Sequence, residues 1–196
     1  MQHGQSSSMR VKTHAHFRWV LVVGFVCLLG WWRGAAQNIE TGPKDPTVAA
    51  GKPVILLFVR TDCPISNRYA PTIQNLAGKY AGRVVVWLVY PSKSDTEQLI
   101  ASKRTEYGYN LPWIRDPDHV LVKKSKATIT PEAALFDTSG QLRYHGRIDD
   151  LYVTFGRARR SPRTHELDDA IAAVLVGKPV SNDAAPAVGC YISDLK

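Results

Sequence analysis

Cysteine is scarce in this chain, with three residues in 196, at positions 27, 63 and 190. No two are close enough to form a Cys-x-x-Cys pair, which excludes a local dithiol. The histidines at 3, 14, 16, 119, 145 and 165 show no metal-ligand spacing beyond the amino-terminal stretch. A glycine-rich phosphate loop is missing too, because the Gly-Lys-Pro triplets at Gly51 and Gly177 lack the rest of that motif. No metal and no cofactor is expected, and no internal repeat is visible.

Acid is absent before residue 37, and a long apolar span is absent throughout. MQHGQSSSMRVKTHAHFR carries three bases, WVLVVGFVCLLGWW follows, and RGAAQ comes next. The run Trp19 to Trp32 falls short of the roughly 20 residues a membrane helix needs. Residues 1–36 therefore read as a secretory signal cleaved after Ala36, or as an uncleaved amino-terminal anchor. Cys27 lies inside the run, and Val26 before it argues against lipidation. Losing Arg10, Lys12, Arg18 and Arg33, with no acid, lowers the charge from +8 to +4. Nucleic acid is not an expected partner, and a membrane is one only through an uncleaved amino terminus. The expected location is outside the cytoplasm, periplasmic or extracellular. The cluster RARRSPR, from Arg157 to Arg163, reads as a solvated loop, with a docking patch as the alternative.

What is present is an α/β order. Residues 37–52 read as a linker, 53–178 as one domain and 179–196 as a small-residue tail. Val54 to Val59 is a buried strand, and Ile65, Tyr69, Ile73, Leu76 and Tyr80 line one face of a helix over 64–80. Pro71 removes a donor inside that helix and predicts a kink. Arg83 to Tyr90 is a second strand, and Ser94 to Glu106 a helix capped by Ser94 or Asp95, with Leu99 and Ile100 inward. A short extended piece at Pro112 and Trp113 and a short helix over 118–126 follow. Tyr107, Tyr109 and Trp113 read as core or pocket wall. Ala133 to Phe136 and Gln141 to Ile148 form a hairpin. The last helix is capped by Thr164, presents Leu167, Ala170, Ile171, Val174 and Leu175, and stops at Gly177. A mixed central sheet with helices on both faces accommodates this order.

Cys63 stands directly before Pro64, where the strand gives way to the helix. Proline suits the first helical position, so Cys63 becomes the cap, beside unpaired amides and the positive end of the dipole. A drop in thiol pKa from about 8.5 to about 7 raises the thiolate at neutral pH from a few per cent to about half. That corresponds to roughly 2 kcal/mol, within reach of a helix terminus aided by Arg60 or Arg68. A buried, inert cysteine is the bland alternative. Arg147 and Asp149, in GRIDD past the hairpin, could hold an anion or the thiolate and shuttle its proton, or form a local ion pair on a solvated strand end.

The strand VILLFVR, the Cys-Pro helix start and TITPEAALFDTSGQLRYHG resemble the thioredoxin-like superfamily, in its redoxin branch of alkyl hydroperoxide reductases and TlpA-like proteins. The likeness covers about residues 50–178. It implies a thioredoxin-like fold, a thiol oxidoreductase activity, and a cis Pro131 after Thr130, packed against the active Cys63. Three departures stand out. Ser66 and Asn67 follow Cys63 where relatives place a second thiol. Arg60 occupies the position that holds Thr or Ser in peroxiredoxins, with Thr61 one step too close. Copper-binding relatives need a cysteine at Asn67 and a histidine near TITPE. Cys190 remains as a resolving thiol, a static disulfide partner of Cys63, or an unpaired or intermolecular thiol. The leading expectation is disulfide exchange with a protein or small-molecule substrate and an external thiol reductant. Peroxide reduction and non-enzymatic binding of copper or a partner protein are its rivals.

Overall fold

A computed structural model describes residues 45–181, 186–193 and 195. The signal or anchor segment, Cys27 and the first part of the linker lie outside the described residues.

Strand β1 (Val54–Phe58) is buried at every position because both faces of the sheet are covered. Ile55 and Leu57 point into one core and Val54, Leu56 and Phe58 into the other, as the two-residue period of a strand requires. The expected long helix is broken in two, α1 (Pro64–Arg68) and α2 (Ala70–Lys79), with Tyr69 at the junction. Pro71 lies in the first turn of α2, where its missing N–H is harmless, so the chain restarts the helix there. Strand β2 (Val85–Tyr90) runs parallel to β1, with Val54 opposite Val85.

Helix α3 (Glu97–Glu106) starts later than the sequence predicts. Its cap is Thr96, whose hydroxyl accepts from the Leu99 N–H at 3.2 Å. Asp95 is diverted to Thr61 and Ser94 to Ser92, so neither caps. Ile100 is buried, but Leu99 faces outward, contrary to expectation. Strand β3 (Trp113–Arg115), helix α4 (Val120–Ser125) and the two-residue β4 (Ile129–Thr130) follow. The hairpin is β5 (Glu132–Phe136) and β6 (Leu142–Gly146).

After it, β7 (Tyr152–Thr154) and β8 (Arg157–Ala158) form a small separate hairpin, so the arginine cluster begins on a strand. Helix α5 (Glu166–Leu175) takes His165 at its cap position. Thr164 instead donates its hydroxyl to Glu166 at 2.7 Å. The tail returns to the domain as β9 (Cys190–Tyr191), antiparallel to β4, with Thr130 opposite Cys190.

The five-stranded sheet has the order β3-β2-β1-β5-β6, parallel over the first three strands and antiparallel at β5 and β6. Residues of α1, α2, α3 and α5 pack on one face, among them Ile65, Ile73, Ile100 and Ile171. Leu121 and Val122 of α4 and Ile192 of the tail pack on the other. This is the mixed, doubly covered sheet the sequence calls for, and the loop after β1 opens at its carboxyl edge.

Candidate active site

The loop from Arg60 to Cys63 is pinned from below. The Thr61 N–H and hydroxyl both donate to Asp95 Oδ1, at 3.2 and 2.5 Å, and the Asn67 amide donates to the Thr61 carbonyl at 3.1 Å. Both Thr61 and Asp95 are buried. The Thr61 hydroxyl is thus turned onto a carboxylate. Asp95 was not singled out from the sequence, since a carboxylate ahead of a helix reads as a cap.

Cys63 is the N-cap of α1, with extended φ and ψ of −86° and 112°, and its sulfur accepts from the Ser66 N–H at 3.5 Å. The Thr130 carbonyl lies 3.2 Å away, where the neutral thiol can donate to it. The Thr130–Pro131 peptide is cis, so the chain at Thr130 turns past the sulfur. The tail supplies the remaining neighbour. Cys190, on β9, lies in register with Thr130, the residue whose carbonyl contacts the Cys63 sulfur, and both cysteines are free thiols. The Thr130 hydroxyl donates to the Cys190 carbonyl at 3.2 Å, and the Ile192 N–H to the Thr128 carbonyl at 2.9 Å.

Gly189 makes this approach possible. A Cβ there would lie 2.0 Å from the Thr130 carbonyl oxygen and 2.7 Å from its carbon, both backbone atoms that cannot swing aside. No other residue lets β9 come this near.

The two thiols are driven apart in acidity. Burial raises the Cys63 pKa, but the neighbouring Cys190 and the donors of Ser66 outweigh it and hold the thiol below its ordinary value. The Ser66 hydroxyl is itself buried and has no hydrogen-bond partner. Burial, together with the neighbouring Cys63, pushes Cys190 up to about 12. Of the two, Cys63 is the more readily ionised. With α1 only five residues long, these local donors do the work expected of a long helix dipole.

Arg147 and Asp149 are engaged elsewhere. Arg147 forms an ion pair with Glu166 and donates to the Thr164 hydroxyl at 3.4 Å. Asp149 is buried, accepting from the Tyr69 hydroxyl at 2.5 Å and the Leu151 N–H at 2.9 Å. Neither is among the hydrogen-bond partners of the Cys63 sulfur. Arg60 pairs with Asp62 at 2.8 Å and reaches the Tyr191 carbonyl at 3.4 Å, while Arg68 is exposed. Arg60 therefore ties the tail to the loop instead of serving the thiolate. Among the described residues no group of three or more His, Cys, Asp or Glu could hold a metal.

The family model described as AhpC/TSA matches residues 36–145. A hypothetical protein from Sinorhizobium meliloti 1021 is similar in structure, at 27% identity and a TM-score of 0.63 over 72% of this chain and 79% of its own. An uncharacterized conserved protein from Geobacillus kaustophilus gives 24% and 0.65 over 74% and 78%. A thioredoxin-like protein in its oxidized form gives 22% and 0.50 over 67% and 82%. No curated protein matches the chain. The expected thioredoxin-like fold is the fold observed.

Proposed function

The chain belongs to the AhpC/TSA family, and from that premise we propose that it is an exported thiol-disulfide oxidoreductase in which Cys63 is the nucleophile and Cys190 the resolving thiol. The placement of both cysteines on Thr130 carries this reading: its carbonyl lies 3.2 Å from the Cys63 sulfur and its hydroxyl donates to the Cys190 carbonyl at 3.2 Å. The Cys63 thiolate attacks one sulfur of a substrate disulfide, whose S–S bond breaks and whose second sulfur leaves as a thiolate that takes a proton from water. In the resulting mixed disulfide Cys63 has lost its charge, and with it one of the influences that hold the Cys190 proton. Cys190 then releases its proton and attacks the Cys63 sulfur, and the remaining substrate sulfur departs as a thiol. The substrate gains two electrons and the chain is left with a Cys63–Cys190 disulfide, which an external thiol reductant resets.

Thr130 and Pro131 shape the wall beside the sulfur, and Thr130 also holds Cys190 through its hydroxyl. A bulky disulfide reaches Cys63 only when β9 lifts, because Cys63 has no exposed surface while β9 is docked. Export rests on the apolar run flanked by bases at the amino end.

Insulin or glutathione-disulfide turnover tests the reading. Cys63→Ser abolishes activity, and Cys190→Ser accumulates a mixed disulfide on Cys63. Wild-type protein that turns over neither substrate with any reductant ends it. The full burial of Cys63 favours one second reading, a small peroxide as oxidant. The thiolate would take one peroxide oxygen as sulfenic acid, releasing water or an alcohol, and Cys190 would displace water to give the same disulfide. Consumption of micromolar peroxide, dependent on Cys63, distinguishes it.

A further inference from the structure

Cys63 is fully covered, whereas Cys190 is half-exposed and forms part of the floor of an open groove. One wall of the groove is the β7–β8 hairpin, through Val153 and Phe155; the other is the tail, through Val188 and Tyr191, with Ile129 beneath. Phe155 is 65% exposed and Tyr191 76%, high values for large aromatic side chains beside a reactive sulfur. The outer side of the hairpin borders an arginine-lined hollow that shares Val153 with the groove. Arg159 there is tied to Asp150 at 2.9 Å, but Arg157, Arg160 and Arg163 are exposed and in no ion pair among the described residues.

We propose that the groove between the β7–β8 hairpin and β9 is the docking surface for a protein dithiol that reduces the Cys63–Cys190 disulfide, one whose contact face is apolar around its thiol and acidic beside it. The inference rests on the disulfide cycle proposed above. Aromatic walls around a sulfur fit another protein's surface, not a small hydrophilic thiol, and the unpaired arginines complement acid. The groove is continuous with the redox pair, since Cys190 belongs to both. The partner's thiolate attacks the Cys190 sulfur, the only one of the pair it can reach, and the Cys63–Cys190 bond breaks with Cys63 leaving as a thiolate. A second partner thiolate then attacks the partner's own sulfur in the mixed disulfide, forming the partner's internal disulfide and freeing Cys190, which takes a proton from water. The partner is oxidised by two electrons and this chain reduced by two. The departing Cys63 thiolate still accepts from the Ser66 N–H, which supports it as the leaving group.

The test uses the oxidised full chain with two probes, dithiothreitol and reduced bacterial thioredoxin, and the variants Phe155→Ser and Arg160→Glu. Each variant is expected to slow reduction by thioredoxin about tenfold and to leave the dithiothreitol rate within twofold of wild type. A thioredoxin lacking its second active-site cysteine is expected to be trapped on Cys190, mapped by peptide mass. Equal rates in wild type and variants, a trapped adduct on Cys63, or no reduction by thioredoxin where dithiothreitol succeeds would each overturn the docking surface. If the oxidised chain contains no Cys63–Cys190 disulfide, the disulfide cycle itself fails, a distinct result.

Discussion

Gly189→Ala separates the tail from the site with a single methyl group. The added carbon would stand 2.0 Å from the Thr130 carbonyl oxygen and 2.9 Å from the Ile129 Cγ2, far inside van der Waals contact. Because the nearest obstacle is backbone, β9 has to leave β4. Its departure breaks the Ile192 N–H bond to Thr128 and the Thr130 hydroxyl bond to Cys190, at about 1 kcal/mol net each. It also exposes Ile192, now 5% accessible, a loss of about 2 kcal/mol. The gross loss is about 4 kcal/mol, and ordering the segment already offsets part of it in the wild type. A net change of about 2 kcal/mol corresponds to roughly thirtyfold in the docked-to-free ratio. Alkylation of Cys63 by iodoacetamide, followed by peptide mapping, is expected to accelerate by about that factor. Formation of the Cys63–Cys190 disulfide is expected to slow in parallel, while the melting temperature falls by roughly 5 °C with unfolding still cooperative, because both cores lie mainly in the domain. Cys63 that remains protected in Gly189→Ala would refute the reading that β9 is what covers it.

Thiolate absorbance at 240 nm should titrate in two separate steps, one below the ordinary thiol value of 9.0 for Cys63 and one near 12 for Cys190; overlapping steps near 9 would contradict the opposed shifts. A depressed thiol pKa contributes stability above the unfolded value, and that contribution fades as pH falls through the folded one. The urea midpoint of the wild type should therefore rise from the Cys63 pKa up to about 9, a rise that Cys63→Ser removes. Asp95→Ala strands two buried donors of Thr61 and is expected to cost about 2–3 kcal/mol in urea denaturation; a cost below about 1 kcal/mol would show that the loop is held otherwise. Arg147→Ala breaks the ion pair with Glu166, with an expected loss of about 1 kcal/mol and no change in the Cys63 titration. A shifted titration would restore Arg147 to the thiolate's surroundings.

Much of the scaffold was legible because local rules dominate it. The all-apolar β1, the proline after Cys63 and the turn-flanked hairpin each satisfy one strong constraint, and Pro71 announced the break between α1 and α2. Helix starts were less legible where several residues compete to cap. Ser94, Asp95 and Thr96 are all good caps; Asp95 is taken by a tertiary contact with Thr61 and Ser94 by its neighbour Ser92, which leaves Thr96. The return of the tail was beyond periodicity altogether. A two-residue strand has no pattern to read, and Thr130 and Cys190 stand 60 residues apart. Only Gly189 hinted at close approach, and a glycine in a small-residue segment does not name its neighbour. Arg147 and Asp149 were readable as charged residues near the hairpin, but which way they turn is decided by Glu166 and Tyr69, on other helices or their junction.

A cysteine with no exposed surface is ordinarily an inert one, and burial alone would raise its pKa. What covers Cys63 is not hydrocarbon alone, however, but a tail with a second thiol. The tail that hides the sulfur from solvent also carries the neighbour that lowers its pKa. Removing the cover thus does two opposed things: it opens the site and takes away one of the influences favouring the thiolate. In Cys190→Ala the sulfur should be easier to reach yet harder to ionise than in the wild type. Ser66, whose N–H lies 3.5 Å from the sulfur and whose buried hydroxyl is without a partner, then becomes the main support of the charge. Adding Ser66→Ala to Cys190→Ala should raise the Cys63 titration further, and an unchanged midpoint would mean that the N–H alone suffices.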